Sequence, residues 1–254
     1  MKRILIIFAF ILAVFASFYA YLNYNYTVPI LMYHSFDMNR PGAYAKVSPE
    51  LFKKQMNFLK KNNYKVISLE EYCVLVKNNT PLPKKIVIIT FDDGFKDNLE
   101  AFAVLRELNY PATVFLIVNK IDQPGYLSRK DIGDILKNTK ITIGAHTLSE
   151  AYLPDLHGKM LKREICLSKQ KLKNLFGYKV KTFAYTMGGF SQEVLGEVVN
   201  CNYLCACTTN RGFSRKFNRF ALRRIKITNR DTDFSFWAKL SGFYNVFKTL
   251  KKPY

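Results

Sequence analysis

Lys85-Ile86-Val87-Ile88-Ile89-Thr90-Phe91-Asp92-Asp93-Gly94 constrains this chain more than any other stretch. Four consecutive β-branched aliphatic residues predict a strand buried on both faces, the kind found in parallel sheets. The strand runs straight into two adjacent carboxylates and a glycine. Two like charges at the end of a buried strand repel each other and resist desolvation, and a nearby cation, most simply a metal ion, resolves the conflict. Read alone, Asp-Asp-Gly is equally a polar turn, because both residue types favour turns. The rest of the chain decides between the two.

A short apolar strand at 28–33 ends in His34. Ser48-Pro49-Glu50 opens a helix with an N-cap and a proline at the first helical position, and Ser68 caps another with Glu71 three residues on. A helix over 97–108, a strand over 112–118, a helix over 128–137 and a strand over 141–145 follow, the last ending at His146. A long helix over 159–176 stops at Gly177. Strands at 181–185, 203–208 and 222–227, with a helix over 192–199, complete the pattern. Strands alternating with helices imply a parallel sheet with crossover helices, and this number of units implies a distorted (β/α) barrel. In such barrels the active site forms at the C-terminal ends of the strands. The polar residues at strand ends are His34, Asp92, Asp93, His146, Tyr185 and Arg224.

The N-terminus adds a membrane element. After Lys2 and Arg3 an uncharged apolar run extends to about residue 22, close to the ~20 residues that span a bilayer. The flanking cations keep the N-terminus inside and send the remainder across. The run continues into Phe18, Tyr19 and Tyr21, which suits an uncleaved anchor, although a cleaved signal peptide fits the same residues. Residues 1–23 are therefore a signal anchor or signal peptide, 24–230 the barrel, and 231–254 a basic, aromatic helical tail that either packs on the barrel or lies on the membrane. The net charge of +20 favours anionic partners such as headgroups or acidic polymers. Nucleic acid is excluded by the lack of a recognition motif and by export. Cys73, Cys166, Cys201, Cys205 and Cys207 lack metal-site spacing and read as buried small hydrophobes, with Cys201 able to pair with either neighbour after export. Nothing in the sequence sets the oligomeric state.

His146-Thr147-Leu148-Ser149-Glu150 places two potential ligands four apart, and with Asp93 they form a set of one nitrogen and two carboxylates for a divalent cation. Asp92 is then left as a base. The ordered segments Val28-Pro29-Ile30-Leu31-Met32-Tyr33-His34, Thr90-Phe91-Asp92-Asp93-Gly94, Pro111-Ala112-Thr113-Val114-Phe115 and Ile143-Gly144-Ala145-His146-Thr147 resemble the polysaccharide deacetylases with a NodB-homology domain, the biofilm-polysaccharide branch above all. Phe183-Ala184-Tyr185 and Leu222-Arg223-Arg224-Ile225 match more loosely. The resemblance, over about residues 28–227, implies a distorted barrel and metal-dependent hydrolysis of N-acetyl groups on β-linked amino sugars. It also implies Asp92 as general base, with Asp93 and His146 as ligands of one divalent ion: zinc, manganese, cobalt or nickel.

The chain departs from that pattern. Glu150 stands where the family has a second histidine ligand, Thr186-Met187 replaces a Pro-Tyr, and no histidine follows His157 to serve as the late general acid. His34 is the candidate substitute acid, the Tyr185 backbone N–H the candidate oxyanion donor, and Arg224 the partner that keeps Asp92 ionised. The expected function is deacetylation of an extracytoplasmic amino-sugar polysaccharide by a membrane-anchored enzyme, or by a secreted one if the N-terminus is cleaved. The alternative is a catalytically degenerate, anchored relative that binds glycan.

Overall fold

The computed structural model describes residues 2–24, 26–41, 45–210 and 218–246. Eight strands form it: β1 (Ile30–Tyr33), β2 (Lys65–Val66), β3 (Ile86–Phe91), β4 (Ala112–Leu116), β5 (Ile141–Ala145), β6 (Thr182–Ala184), β7 (Cys205–Cys207) and β8 (Ile225–Lys226). All pairings between strands are parallel, in the order β7-β6-β5-β4-β3-β1-β8, with β2 beside β3. The edges of this curled sheet meet through residues 222–224. Leu222 N–H donates to Ala206 O at 2.9 Å, Thr208 N–H to Leu222 O at 2.8 Å, and Arg224 N–H to Asn210 O at 3.2 Å. The expected strand over 222–227 is thus a closing segment followed by a two-residue strand.

The pleat of β3 sorts its side chains. Val87, Ile89 and Phe91 join the outer core with Phe52, Met56 and Leu59 of α2 (Pro49–Lys61) and with Phe102 and Leu105 of α4 (Asn98–Glu107). Ile86 and Ile88 join a second cluster with Ile30, Cys205 and the buried Leu69 and Cys73 of α3 (Leu69–Lys77), which fills the barrel toward the N-terminal ends of its strands. Period-two alternation carries this inward face on to Thr90 and Asp92. The interior is therefore apolar below and polar at the mouth.

Two sequence expectations change. The helix expected over 159–176 is α6 (Gly158–Lys162), a π-helical stretch Arg163–Leu167, and α7 (Ser168–Phe176). Inside the π turn Glu164 is buried, and its carboxylate accepts from Leu148 N–H, Ser149 N–H and Ser149 Oγ at 2.9–3.0 Å. A π turn re-aims a side chain in this way. The cysteines are not simple hydrophobes: Cys73 bonds Cys205 and Cys166 bonds Cys201, leaving Cys207 free and buried. Cys201 therefore pairs with Cys166, the cysteine before it in the chain, and not with Cys205 or Cys207.

At the termini, α1 (Lys2–Tyr24) is long and apolar enough to cross a membrane. The remaining crossover helices are α5 (Arg129–Asn138) and α8 (Gln192–Asn200). The tail forms α9 (Asp233–Ser241) and α10 (Phe243–Val246), broken at Gly242 where φ is 84°. The rest of the helix expected to residue 250 lies outside the described residues.

Candidate active site

Asp92 and Asp93 occupy different environments although they are adjacent. Asp92 ends the inward face of β3 and is buried, and Arg224 grips it bidentately, Nη1 to Oδ1 at 2.5 Å and Nη2 to Oδ2 at 2.7 Å. Arg224 is itself buried and donates from Nε to Thr208 O at 3.1 Å and from Nη1 to Thr90 Oγ1 at 3.3 Å. Burial alone would raise the Asp92 carboxyl. The Arg224 guanidinium, aided by His146 and His34, reverses this and holds it down to about 2. Asp92 is therefore fixed as an anion.

Asp93 turns away from the strand with φ at 70°, followed by Gly94 at 73°. A Cβ on Gly94 would lie 2.7 Å from Leu116 Cδ2, and the positive φ strains any other residue, so glycine suits the turn where it closes on β4. The turn sets Asp93 Oδ1 3.5 Å from His146 Nε2. His146 follows β5, and its Nδ1 lies 2.7 Å from Ala184 O. A carbonyl only accepts, so Nδ1 carries the hydrogen, and Nε2 faces the carboxylate. Burial would lower the His146 imidazole, but Asp93 and Asp92 outweigh it and raise it. Nε2 and the carboxylate therefore share a cation: a proton on Nε2, which the raised imidazole favours, or a divalent ion once that proton is gone. That is the donor pattern of a divalent-metal site with a backbone carbonyl fixing the histidine tautomer.

His34 completes the cluster. It follows β1, and its Nε2 lies 3.8 Å from Asp92 Oδ2, while its Nδ1 is buried without a partner among the described residues. Burial lowers its imidazole below the ordinary 6.5 in spite of Asp92 and Asp93, so His34 rests neutral at pH 7. Asn98 Nδ2 holds its backbone through His34 O at 2.7 Å.

Of the residues expected from sequence, the fold brings His34, Asp92, Asp93, His146 and Arg224 together. Glu150 stands apart: it is exposed, sits at φ 68°, and forms no close ligand group with Asp93 and His146. Its N–H is held by Thr147 Oγ1 at 3.0 Å. Tyr185 also departs from expectation. Its N–H donates to Cys207 O at 3.0 Å, its ring is buried, and its hydroxyl donates to Phe220 O at 2.8 Å, so its amide has no capacity left for an oxyanion. The following turn, Thr186–Gly188, is different, because the Thr186 and Met187 N–H groups donate to no partner among the described residues.

Sequence reading missed Glu164, Asn98 and Tyr126. The first two are buried polar residues whose partners lie 15–16 and 64 positions away, so no local pattern announces them. The Tyr126 phenol is raised by burial and by the charges of Glu150 and Asp93. Its ring leans on Phe95 at 5.3 Å, and Arg40 covers the other side of that stack at 4.2 Å from the Phe95 ring. Together they make an aromatic wall beside Asp93.

The sequence profile described as "Polysaccharide deacetylase" matches residues 79–206, about half the chain, and that span holds Asp92, Asp93 and His146. The chain belongs to the polysaccharide deacetylase family. Such enzymes are hydrolases that remove N-acetyl groups. A putative polysaccharide deacetylase of Bacillus subtilis is 29% identical over 203 residues, covering 79% of this chain and 71% of its own. A putative polysaccharide deacetylase of Bacillus anthracis, known as a crystal structure, superposes with a TM-score of 0.74 at 31% identity over 84% of this chain and 68% of its own. The Streptococcus pyogenes deacetylase PplD in complex with acetate gives a TM-score of 0.78 at 25% identity, over 85% of this chain and 99% of that one. A poly-beta-1,6-N-acetyl-D-glucosamine N-deacetylase of Staphylococcus epidermidis is 33% identical over 109 residues, 40% of this chain and 37% of that one. His34 and Arg224 lie outside the matched profile, yet the deacetylase folds both onto Asp92.

Proposed function

We propose that this deacetylase is a membrane-anchored, metal-dependent enzyme that removes N-acetyl groups from an amino-sugar polysaccharide outside the cytoplasm, poly-N-acetylglucosamine or the glycan of peptidoglycan. The observation that carries the reading is the Arg224 clamp on a buried Asp92, 3.8 Å from His34 and next to the Asp93–His146 pair. A degenerate, glycan-binding relative has no use for a buried carboxylate kept charged at the mouth. Two disulfides fit an oxidising compartment, and α1 supplies the anchor.

Asp93 and His146 would hold a divalent ion, with Glu150 reaching in from the rim. When bound, that ion acidifies water and polarises the acetyl carbonyl. Such help is needed here, because a carboxylate held near 2 is a weak base. Arg224 leaves each Asp92 oxygen a second lone pair, and Asp92 takes the proton of the attacking water there. Neutral His34, 3.8 Å away, is placed to receive that proton and return it to the departing amine. The amides of Thr186 and Met187, without partners among the described residues, follow Ala184, whose carbonyl holds His146, and they supply donors to the oxyanion in place of Tyr185. The Phe95–Tyr126 wall offers a sugar ring an apolar face.

Purified full-length chain should release acetate from N-acetylglucosamine oligomers, and Asp92→Asn should abolish release while keeping the ion. No divalent ion bound and no acetate released, across zinc, manganese, cobalt and nickel, refutes the enzyme.

A further inference from the structure

The tail helix α9 does two things at once. Phe236, Ala238 and Leu240 are buried against the barrel, with the Phe236 ring 5.7 Å from Phe58 of α2. The remaining large apolar side chains point outward: Phe234 is 67% exposed and Trp237 41%. Spaced three apart, they share a helical face. The Phe234 and Trp237 rings meet at 5.7 Å, Trp237 and Phe243 at 6.2 Å, and Phe243 and Phe18 at 6.0 Å. Phe18 belongs to α1, one turn before the end of the apolar span at Tyr21. An aromatic ladder therefore climbs out of the last turn of the anchor and along the outside of the catalytic domain.

The same end of the barrel carries the charge that suits a bilayer. The chain leaves α1 and enters β1 at its N-terminal end, and the Tyr26 hydroxyl meets Ile86 O, the first residue of β3, at 3.4 Å. A cavity of about 710 Å³ opens at this N-terminal rim, beside Val180 and Leu204, which lead into β6 and β7. Among its lining groups the cations Lys77, Lys169, Lys179, Lys181 and Arg219 outnumber Glu70 and Glu71, and only Lys181 is paired with Glu70. Tryptophan and aromatic side chains concentrate at membrane interfaces, and cations beside them are drawn to anionic headgroups.

We propose that the N-terminal rim of the barrel is a membrane-docking surface, with Trp237, Phe234 and Phe243 seated in the lipid interface beside the anchor. The inference rests on the reading of α1 as an anchor. It adds that the catalytic domain lies against the bilayer with its mouth, at the opposite strand ends, turned outward to the polymer.

Trp237 is the only tryptophan in the chain, so its emission reports this surface directly. Full-length protein is reconstituted into vesicles containing anionic phospholipid, with and without lipid bearing a nitroxide near the headgroup end of its acyl chain. The labelled lipid should lower Trp237 emission roughly twofold or more, as for an interfacial tryptophan, while aqueous iodide has little effect. Phe234→Glu combined with Phe243→Glu should exchange lipid quenching for iodide quenching, with both proteins resisting alkaline carbonate extraction. Release of the wild type by carbonate would refute the anchor reading itself. Retention in carbonate without quenching by labelled lipid overturns the docking surface alone: iodide quenching then means a free face, and none means a face covered by protein.

Discussion

Replacing Arg224 by leucine tests the site and the fold together. In the wild type Asp92 is held down from the ordinary 3.8 to about 2. At about 1.4 kcal/mol per pH unit, this depression is worth about 2 kcal/mol of stability. A folded-state value below the unfolded one gives stability that is fully present above pH 3.8 and is lost as pH falls through about 2. In Arg224→Leu the burial of Asp92 remains and its neutraliser is gone, so the carboxyl rises above 3.8 and the sign reverses. The variant should be most stable in mild acid and lose stability as pH rises toward neutrality, where an unpaired buried carboxylate costs about 3–5 kcal/mol. Urea denaturation from pH 3 to 8, in chelator so that no ion contributes, reads the two slopes. Asp92→Asn with Arg224→Leu should recover much of the neutral-pH loss. A variant whose stability runs parallel to that of the wild type across this range would show that Arg224 does not set the charge of Asp92, and the catalytic argument built on the clamp would fall with it.

His146→Ala should leave no stoichiometric divalent ion after gel filtration, whereas Glu150→Ala, which removes a ligand that arrives from the rim, should weaken binding by roughly tenfold. Metal analysis and calorimetry separate the two. Cys73→Ala with Cys205→Ala should cost about 2–5 kcal/mol in thermal or urea unfolding, because the bond closes a loop of 132 residues between α3 and β7. Reductant should mimic it. Gly94→Ala, forced to φ 73° against Leu116, should lose about 1–3 kcal/mol and displace Asp93, so bound metal and acetate release fall together.

The parallel barrel is legible in the sequence because β3 to β5 are short apolar runs that end in turns and alternate with capped helices. Asp92, Asp93 and His146 are legible for the same reason: each follows the end of such a run. Arg224 could be paired with Asp92 through resemblance, but the bidentate grip needs the closing segment at 222–224, which regular strand pairing does not describe. The Tyr185 amide departs from expectation because a strand end normally frees it, and here β7 continues far enough to capture it. The disulfides were out of reach, since four of five cysteines pair across 35 and 132 positions and connectivity has no local signal. The π turn that buries Glu164 answers to the loop behind His146, not to its own helical periodicity.

The segment that joins the edges of the sheet also delivers Arg224 to Asp92. Architectural completion and chemical competence are therefore one event. A chain folded only as far as β7 would bring Asp92 into the barrel without the Arg224 guanidinium that does most to hold it ionised. Only when residues near the end of the sequence arrive does the barrel lock and the carboxylate acquire its charge. An enzyme wired in this way is silent until residues 222–224 are in place, and loss of that segment silences it again.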